Sequence, residues 1–325
     1  MITVGIDHGT SGITTCIKEG SKKIIFKLKR SEVKERSYLE ELKRYVDLDK
    51  IDMITLTYSM GDGINKILPI DKVKNRGVKS LEGAGEKIGG GTKVFDEIKE
   101  SSLPAIVLPG LHRDIECLDE RFRALFSHIA SPEKISIAYY AYKLFKFNNF
   151  VLSDISSNTV TLLIKNGKFF GGFDACIGAI GILHGPIDLE MIRKIDNNEI
   201  SANEAFSKAG AVKIAKIYKG PEETKDEIIK NYYTNKNCKL AIDSLILSVS
   251  LEINSLLSLT DKKRVVLAGS VGTLRKPIDI PKEIKKFVKA KIHVLYGESG
   301  AIGGALIGED VLKGVDEILG IKVEI

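Results

Sequence analysis

The sequence predicts an α/β protein in two domains, residues 1-146 and 147-325. Three observations point there. The chain has 325 residues, enough for about two domains. Short strands rich in Ile and Val alternate with segments whose apolar residues fall at helical spacing. An apolar strand running into an Asp-containing hairpin occurs twice, at Asp7 and at Asp154, so each half opens the same way. This is a weak internal duplication and not a short-period repeat.

In the first half, Val4 and Ile6 alternate with small residues, which is strand period. Gly9 and Gly12 let the chain turn sharply into a second strand of β-branched residues ending near Ile17. Residues 24–28 add a strand. Leu39, Leu42 and Val46 predict a helix over residues 37–45, and residues 51–58 read as a buried strand ending in a glycine-containing turn. Residues 74–94 are glycine-rich and predict a linker or a substrate loop; the apolar residues around them argue against a floppy linker. Residues 106–108 form a strand that turns out through Pro109-Gly110-Leu111-His112. Residues 118–128 look helical. Pro132 opens a long helix through Lys146, as suits a proline at the first helical position, and Asn148-Asn149 breaks it.

The second half starts with a strand through Asp154, the turn Ser156-Ser157-Asn158, and a returning strand over residues 160–164. Asn166-Gly167 is a strong hairpin signal, so residues 169–173 follow as a strand. Helices are expected over residues 203–218, 222–233 and 237–259, the last with a broad apolar face. Residues 265–268 form a buried strand entering the turn Gly269-Ser270, residues 292–295 another, and residues 300–307 a helix of small residues suited to close backbone packing.

Composition removes several function classes. Hydrophobic residues make up 43% of the chain, which excludes global disorder. The net charge of +6 is spread over scattered lysines, with no basic block interleaved with aromatics, so no nucleic-acid partner is expected. The four cysteines show no C-x-x-C pairing, which argues against a zinc site or disulfide framework and for reduced thiols. No signal peptide and no uninterrupted apolar run of about 18 residues is found, so a cytoplasmic protein with no membrane partner is expected. Trp and Gln are absent while Ile and Lys abound, which fits a heat-adapted archaeal or bacterial host.

The chemistry lies in the turns. Amides and hydroxyls of a turn such as Gly9-Thr10-Ser11-Gly12 can cradle a phosphate, and Asp7 at the strand end can orient a hydrated Mg²⁺. The bland alternative is an ordinary hairpin whose Asp caps its own turn. Arg76 offers a planar fork that matches a carboxylate or a phosphate, or else a surface salt bridge. His112, beside a tight turn, is a candidate hydrogen-bond donor to a transition-state oxygen or a structural histidine.

Four signals in fixed order resemble the acetate kinase, sugar kinase, heat-shock ATPase and actin superfamily. They are the Asp7 hairpin, the Asp154 hairpin, the Ala268-Gly269-Ser270 turn and the Gly297-Glu298-Ser299-Gly300-Ala301 segment. They look like the two phosphate loops, the adenosine loop and the second interdomain connection; the helix after Pro132 looks like the first. Asn75-Arg76-Gly77 and Gly90-Gly91-Thr92 are similar to segments of butyrate kinases, and Leu108-Pro109-Gly110-Leu111-His112 to the Leu-Ala-Pro-Leu-His of acetate kinases. Gly83-Ala84-Gly85, Gly89-Gly90-Gly91-Thr92 and Phe173-Asp174-Ala175-Cys176-Ile177-Gly178-Ala179 resemble an archaeal family, methanogenesis marker protein twelve, which implies a methanogen host.

The resemblance implies two actin-like ATPase (ribonuclease H-like) domains flanking a nucleotide cleft, with ATP and Mg²⁺ as cofactors. Asp7, Gly9, Thr10, Ser11 and Gly12 would bind the nucleotide from the first domain. Ser156, Ser157, Asn158, Thr159, Gly269, Ser270 and Gly300 would complete that site. Asp7 and Asp154 would hold the metal. Arg76, His112 and Asp154 would be catalytic, with Arg76, His112 and Asp174 facing a small-molecule acceptor. The implied activity is an ATP-dependent phosphotransferase on a small carboxylate or related metabolite. The sequence departs from the enzymes, however. No carboxylate stands in Arg123-Ala124-Leu125-Phe126-Ser127-His128, Leu183-His184-Gly185 lacks their arginine, and Ser156-Ser157-Asn158 replaces their glycines. An ATP-binding switch or assembly factor acting on a protein partner is therefore the alternative. A homodimer is a further expectation of the resemblance.

Overall fold

The computed structural model describes residues 1–9, 12–80 and 90–325. They form two compact units. The first comprises Met1–Phe147, Gly167–Phe169 and Gly297–Ile325; the second comprises Asn148–Asn166 and Phe170–Tyr296. The first unit thus takes in the C-terminal segment Gly297–Ile325 as well as the start of the chain.

The first unit is built on a sheet containing β1 (Ile2–Gly9), β2 (Gly12–Glu19), β3 (Lys22–Leu28), β4 (Met53–Leu56), β5 (Leu68–Pro69) and β6 (Ala105–Val107), in the order β3-β2-β1-β4-β6-β5. β1, β2 and β3 are antiparallel neighbours, whereas β1, β4 and β6 run parallel. Every residue of β4 is buried, as befits a central strand covered on both faces. One face carries Tyr38, Leu42, Phe95 and Ile98, all in the hydrophobic core. The other carries the C-terminal helix Ser299–Leu312, which packs on β1, β2 and β4 and on the helix Pro132–Phe145. Glycines allow this approach: a Cβ at Gly5 would collide with the backbone of Ala301 and Ala305, and one at Gly303 with the backbone of Ser136. The close packing expected of the small-residue helix is what the structure shows.

The second unit repeats the plan. β9 (Phe150–Ile155), β10 (Thr159–Lys165), β11 (Lys168–Phe173), β12 (Arg264–Ala268) and β13 (Lys291–Val294) lie in the order β11-β10-β9-β12-β13. β9 and β10 are antiparallel, while β9, β12 and β13 are parallel. This is the strand order of β3-β2-β1-β4-β6 in the first unit. Lys236–Leu257 packs on β9 and β10. Among the described residues this is the one helix long and apolar enough to cross a membrane by length and composition, and 56% of its apolar window is buried in the protein.

Several sequence expectations are corrected. The glycine-rich stretch read as a loop through residue 94 turns helical at its end, since Gly90–Glu100 is a helix anchored by buried Val94, Phe95 and Ile98. Of residues 118–128 only Glu120–Leu125 is helical. His128 opens the short strand β8 (His128–Ala130), paired with β7 (Leu111–His112). The single helix expected over residues 203–218 is two, Ala202–Ser207 and Ala211–Ala215. The break exists because the amides of Gly210, Ala211 and Val212 donate instead to the carbonyls of Leu183, Gly181 and Ile182. Short helices at Arg30–Glu35, Leu189–Asp196 and Ile280–Phe287 were not expected.

Candidate functional site

Two clusters carry the sequence candidates, one in each unit. In the first, Asp7 lies near the C-terminal end of β1, where parallel strands of an open α/β sheet leave room for a ligand. Gly9 and Gly12 are the last pair of the β1–β2 ladder. Thr10 and Ser11 lie outside the described residues. The start of the helix Ser299–Leu312 abuts Asp7 so closely that a Cβ at Gly300 would collide with its carboxylate. Glu298, the residue before that helix, makes no side-chain cap.

His8, not singled out from the sequence, packs behind Asp7. Its ring nitrogens are buried, it meets Tyr58 edge-on at 6.1 Å, and a Cβ at Gly91 would come within 2.8 Å of its ring. Burial, helped by the charge of Arg30, pushes its imidazole down to about 4, so it is neutral near pH 7. The Tyr58 hydroxyl shares a hydrogen bond of 2.9 Å with Thr92 at the start of Gly90–Glu100. From the same helix Asp96 holds Arg76 in a two-pronged pair, with Nε and Nη2 each donating at 2.8 Å. Arg76 itself sits at φ 55°, in the left-handed region. Its outer edge, Nη1 and the second Nη2 hydrogen, is the part chemically able to meet an anion.

His112 is 2% exposed. Its Nε2 donates to the Ile64 carbonyl at 2.8 Å, and the Asp114 amide donates to Nδ1 at 3.3 Å. These bonds fix one neutral tautomer, and burial lowers its pKa further. Both ring nitrogens are thus occupied by backbone.

In the second unit, Asp154 lies in β9, 4% exposed, opposite Ala268 of the parallel strand β12. The chain leaves β12 through Gly269 at φ +84°, where a Cβ would collide with the Asp154 carboxylate and the Ile155 carbonyl. The Ser270 amide donates to Ser156 Oγ at 3.0 Å, and the amides of Val271 and Gly272 both donate to the Ile155 carbonyl. The structure therefore brings Asp154, Ser156, Gly269 and Ser270 together. The turn closes by Ser156 N–H to the Asn158 carbonyl at 2.8 Å. It is braced from behind: Ile182, Leu183 and His184 donate amides to the Ser156 and Ser157 carbonyls, and Thr159 Oγ1 donates to the Ile180 carbonyl. Serines and Asn158 turn here without glycine because a neighbouring segment, not intrinsic flexibility, fixes the loop.

Asp174 lies apart from these turns in the sequence and caps its own, accepting from the Ala175 amide at 2.7 Å. Behind it is Glu252, a second residue the sequence reading missed. Its Oε2 accepts from the Ala179 amide at 2.5 Å, and burial pushes its carboxyl up to about 7.

Among the described residues no group of three or more His, Cys, Asp or Glu side chains could hold a metal directly. The carboxylates of Asp7 and Asp154 suit Mg²⁺, which keeps most of its water and takes its other ligands from phosphates. The donor set fits that ion and not zinc.

No protein-family model matches the chain. It is 80% identical to a UPF0285 protein of Methanocaldococcus jannaschii, covering 100% of this chain and 99% of the relative. It is 66% identical to one of Methanococcus vannielii and 45% identical to one of Methanothermobacter thermautotrophicus, each covering 100% of this chain and 99% of the relative. Among solved structures it is similar to a propionate kinase from Francisella tularensis, with a TM-score of 0.65 and 15% identity over 95% of this chain and 99% of that one. Acetate kinase from Entamoeba histolytica gives 0.62 and 14% identity over 88% and 86%. A ROK family glucokinase from Streptomyces griseus gives 0.54 and 13% over 95% and 100%. These likenesses show the fold, two α/β domains of the actin-like ATPase type, and at such identities the fold alone.

Proposed function

The chain belongs to the UPF0285 family of methanogenic archaea, and we propose that it is a cytoplasmic, MgATP-dependent phosphotransferase acting on a small carboxylate. One observation carries this reading. In each unit the first strand carries a carboxylate near its end, Asp7 or Asp154, closely flanked by a glycine, Gly300 or Gly269, that has room for no side chain. Such a pair lets a backbone approach a hydrated cation and its phosphates without steric conflict. The γ-phosphoryl group would pass to an acceptor carboxylate oxygen and ADP would leave. Asp7 and Asp154 would hold Mg²⁺ through water, and the outer edge of Arg76 would face the acceptor. Because both its ring nitrogens bond backbone, His112 serves in this reading to position the turn around Ile64.

A second reading, a nucleotide-driven switch acting on a protein partner, is favoured by one fact. Arg76 and His112, the two acceptor-side candidates, are already engaged by Asp96 and by backbone. Calorimetric titration with ATP, with and without Mg²⁺, tests nucleotide binding, using Asp7→Ala and Asp154→Ala as controls. Binding that needs Mg²⁺ and both carboxylates is expected, and no binding by the wild type would sink both readings. Transfer of labelled γ-phosphate to acetate, propionate or butyrate supports the kinase. Binding with no transfer to any acid leaves the switch.

A further inference from the structure

We propose that Arg30 is the cation that meets the terminal phosphate of the nucleotide, an inference that rests on the nucleotide reading above. Arg30 opens the short helix Arg30–Glu35, directly after β3. Its side chain reaches back across 21 residues, and Nε donates to the Gly9 carbonyl at 3.2 Å. It therefore holds the last residue of β1, two residues on from Asp7. It is only half-exposed, and among the described residues it has no carboxylate partner. The nearest acid on its own helix, Glu32, is spent on the Lys29 amide at 2.7 Å. Arg44, Arg76, Arg121 and Arg275 each pair with a carboxylate, whereas Arg123, like Arg30, donates to a backbone carbonyl.

A half-buried guanidinium with no counter-charge is an anion site by its chemistry. One N–H holds the Gly9 carbonyl, and both Nη groups keep their donors for two oxygens of a phosphate. Lys27 lies close by, its Cε 3.0 Å from where a Cβ at Gly12 would stand. Two cations thus stand beside Gly9 and Gly12, the last pair of the β1–β2 ladder. Arg76 suits this task less well, since its Nε and Nη2 edge is held by Asp96.

The test separates holding the Gly9 carbonyl from charge. Arg30→Gln keeps an N–H for the Gly9 carbonyl but loses the charge, and Arg30→Lys keeps the charge. Affinities of the full chain for MgATP and MgADP are measured by calorimetry, with thermal melts to check folding. Wild type is expected to prefer MgATP. Arg30→Gln is expected to weaken MgATP about tenfold and MgADP less than about threefold, while Arg30→Lys keeps part of the preference. An Arg30→Gln protein that weakens both nucleotides equally, or neither, overturns the proposal while leaving the nucleotide site standing. A wild type that binds neither nucleotide overturns the site reading and this proposal with it.

Discussion

At the scale of single residues, the two glycines beside the carboxylates make the sharpest demands. Gly269 holds φ +84° and has no space for a Cβ against Asp154, Ile155 and Ser156. Gly269→Ala is therefore expected to cost about 1–3 kcal/mol, from the strained backbone and the displaced turn. Gly300→Ala would press a methyl group on the Asp7 carboxylate without a positive φ to strain, so it should harm nucleotide binding more than stability. Urea midpoints set against ATP affinities for the two variants check this contrast; equal effects on both properties in both variants would contradict it. The acids and their own hairpins were legible in the sequence, because strand, Asp and turn lie within a few residues of one another; Gly269 and Gly300 were reached only through the resemblance, since each meets its carboxylate across more than a hundred residues. Arg30, His8 and Asp96 were not legible. Arg30 meets Gly9 across 21 residues, Asp96 meets Arg76 across 20, and Tyr58, which packs on His8, comes from another strand's end. Local pattern contains no record of such meetings.

At the scale of elements, the segment over residues 174–184 braces the Ser156-Ser157-Asn158 turn, and Glu252 ties that segment to the long helix Lys236–Leu257. Glu252 is 8% exposed, and a Cβ at Gly178 would collide with its Oε2. Its carboxyl stands at about 7 in the folded protein against an ordinary 4.5, through burial above all, with Asp174 adding a like charge. A raised carboxyl pKa means the folded state holds a proton that the unfolded state releases. Stability from this group is therefore complete below about pH 4.5 and declines as pH rises to about 7, by at most on the order of 3 kcal/mol. Glu252→Gln keeps an acceptor for the Ala179 amide and removes the titration. Its melting temperature should exceed wild type at pH 8 and approach it at pH 5. A constant offset between the two proteins across that range would show that Glu252 does not titrate there. The sequence reading saw the long helix but not its buried acid, because one Glu in an apolar stripe looks like a face reaching solvent. It likewise joined 203–218 into one helix, since the apolar period continues across Gly210 while the amides there are claimed by Leu183, Gly181 and Ile182.

At the scale of the whole molecule, the strand order repeats, yet chain order and spatial order part company at the end. The sequence reading assigned everything after residue 146 to the second domain, because nothing in a linear pattern marks a helix that returns to the first sheet. Ser299–Leu312 covers β1, β2 and β4 with buried Ala301, Ile302, Ala305, Ile307 and Val311. Each buried Ile or Val there contributes roughly 1.5–3 kcal/mol, so losing the helix removes an amount comparable to the whole stability of a domain. A chain ending at Tyr296 should therefore lose the first unit and keep the second. Hydrogen exchange read by mass spectrometry should find β1, β2 and β4 unprotected in the truncated chain, while β9, β10 and β12 hold their protection. Protection kept in β4 would mean that the first unit folds without its C-terminal cover. The same deletion removes Gly300 from beside Asp7, so ATP binding should vanish with the first unit's protection, although the truncated chain keeps Asp7, Arg30 and Asp154.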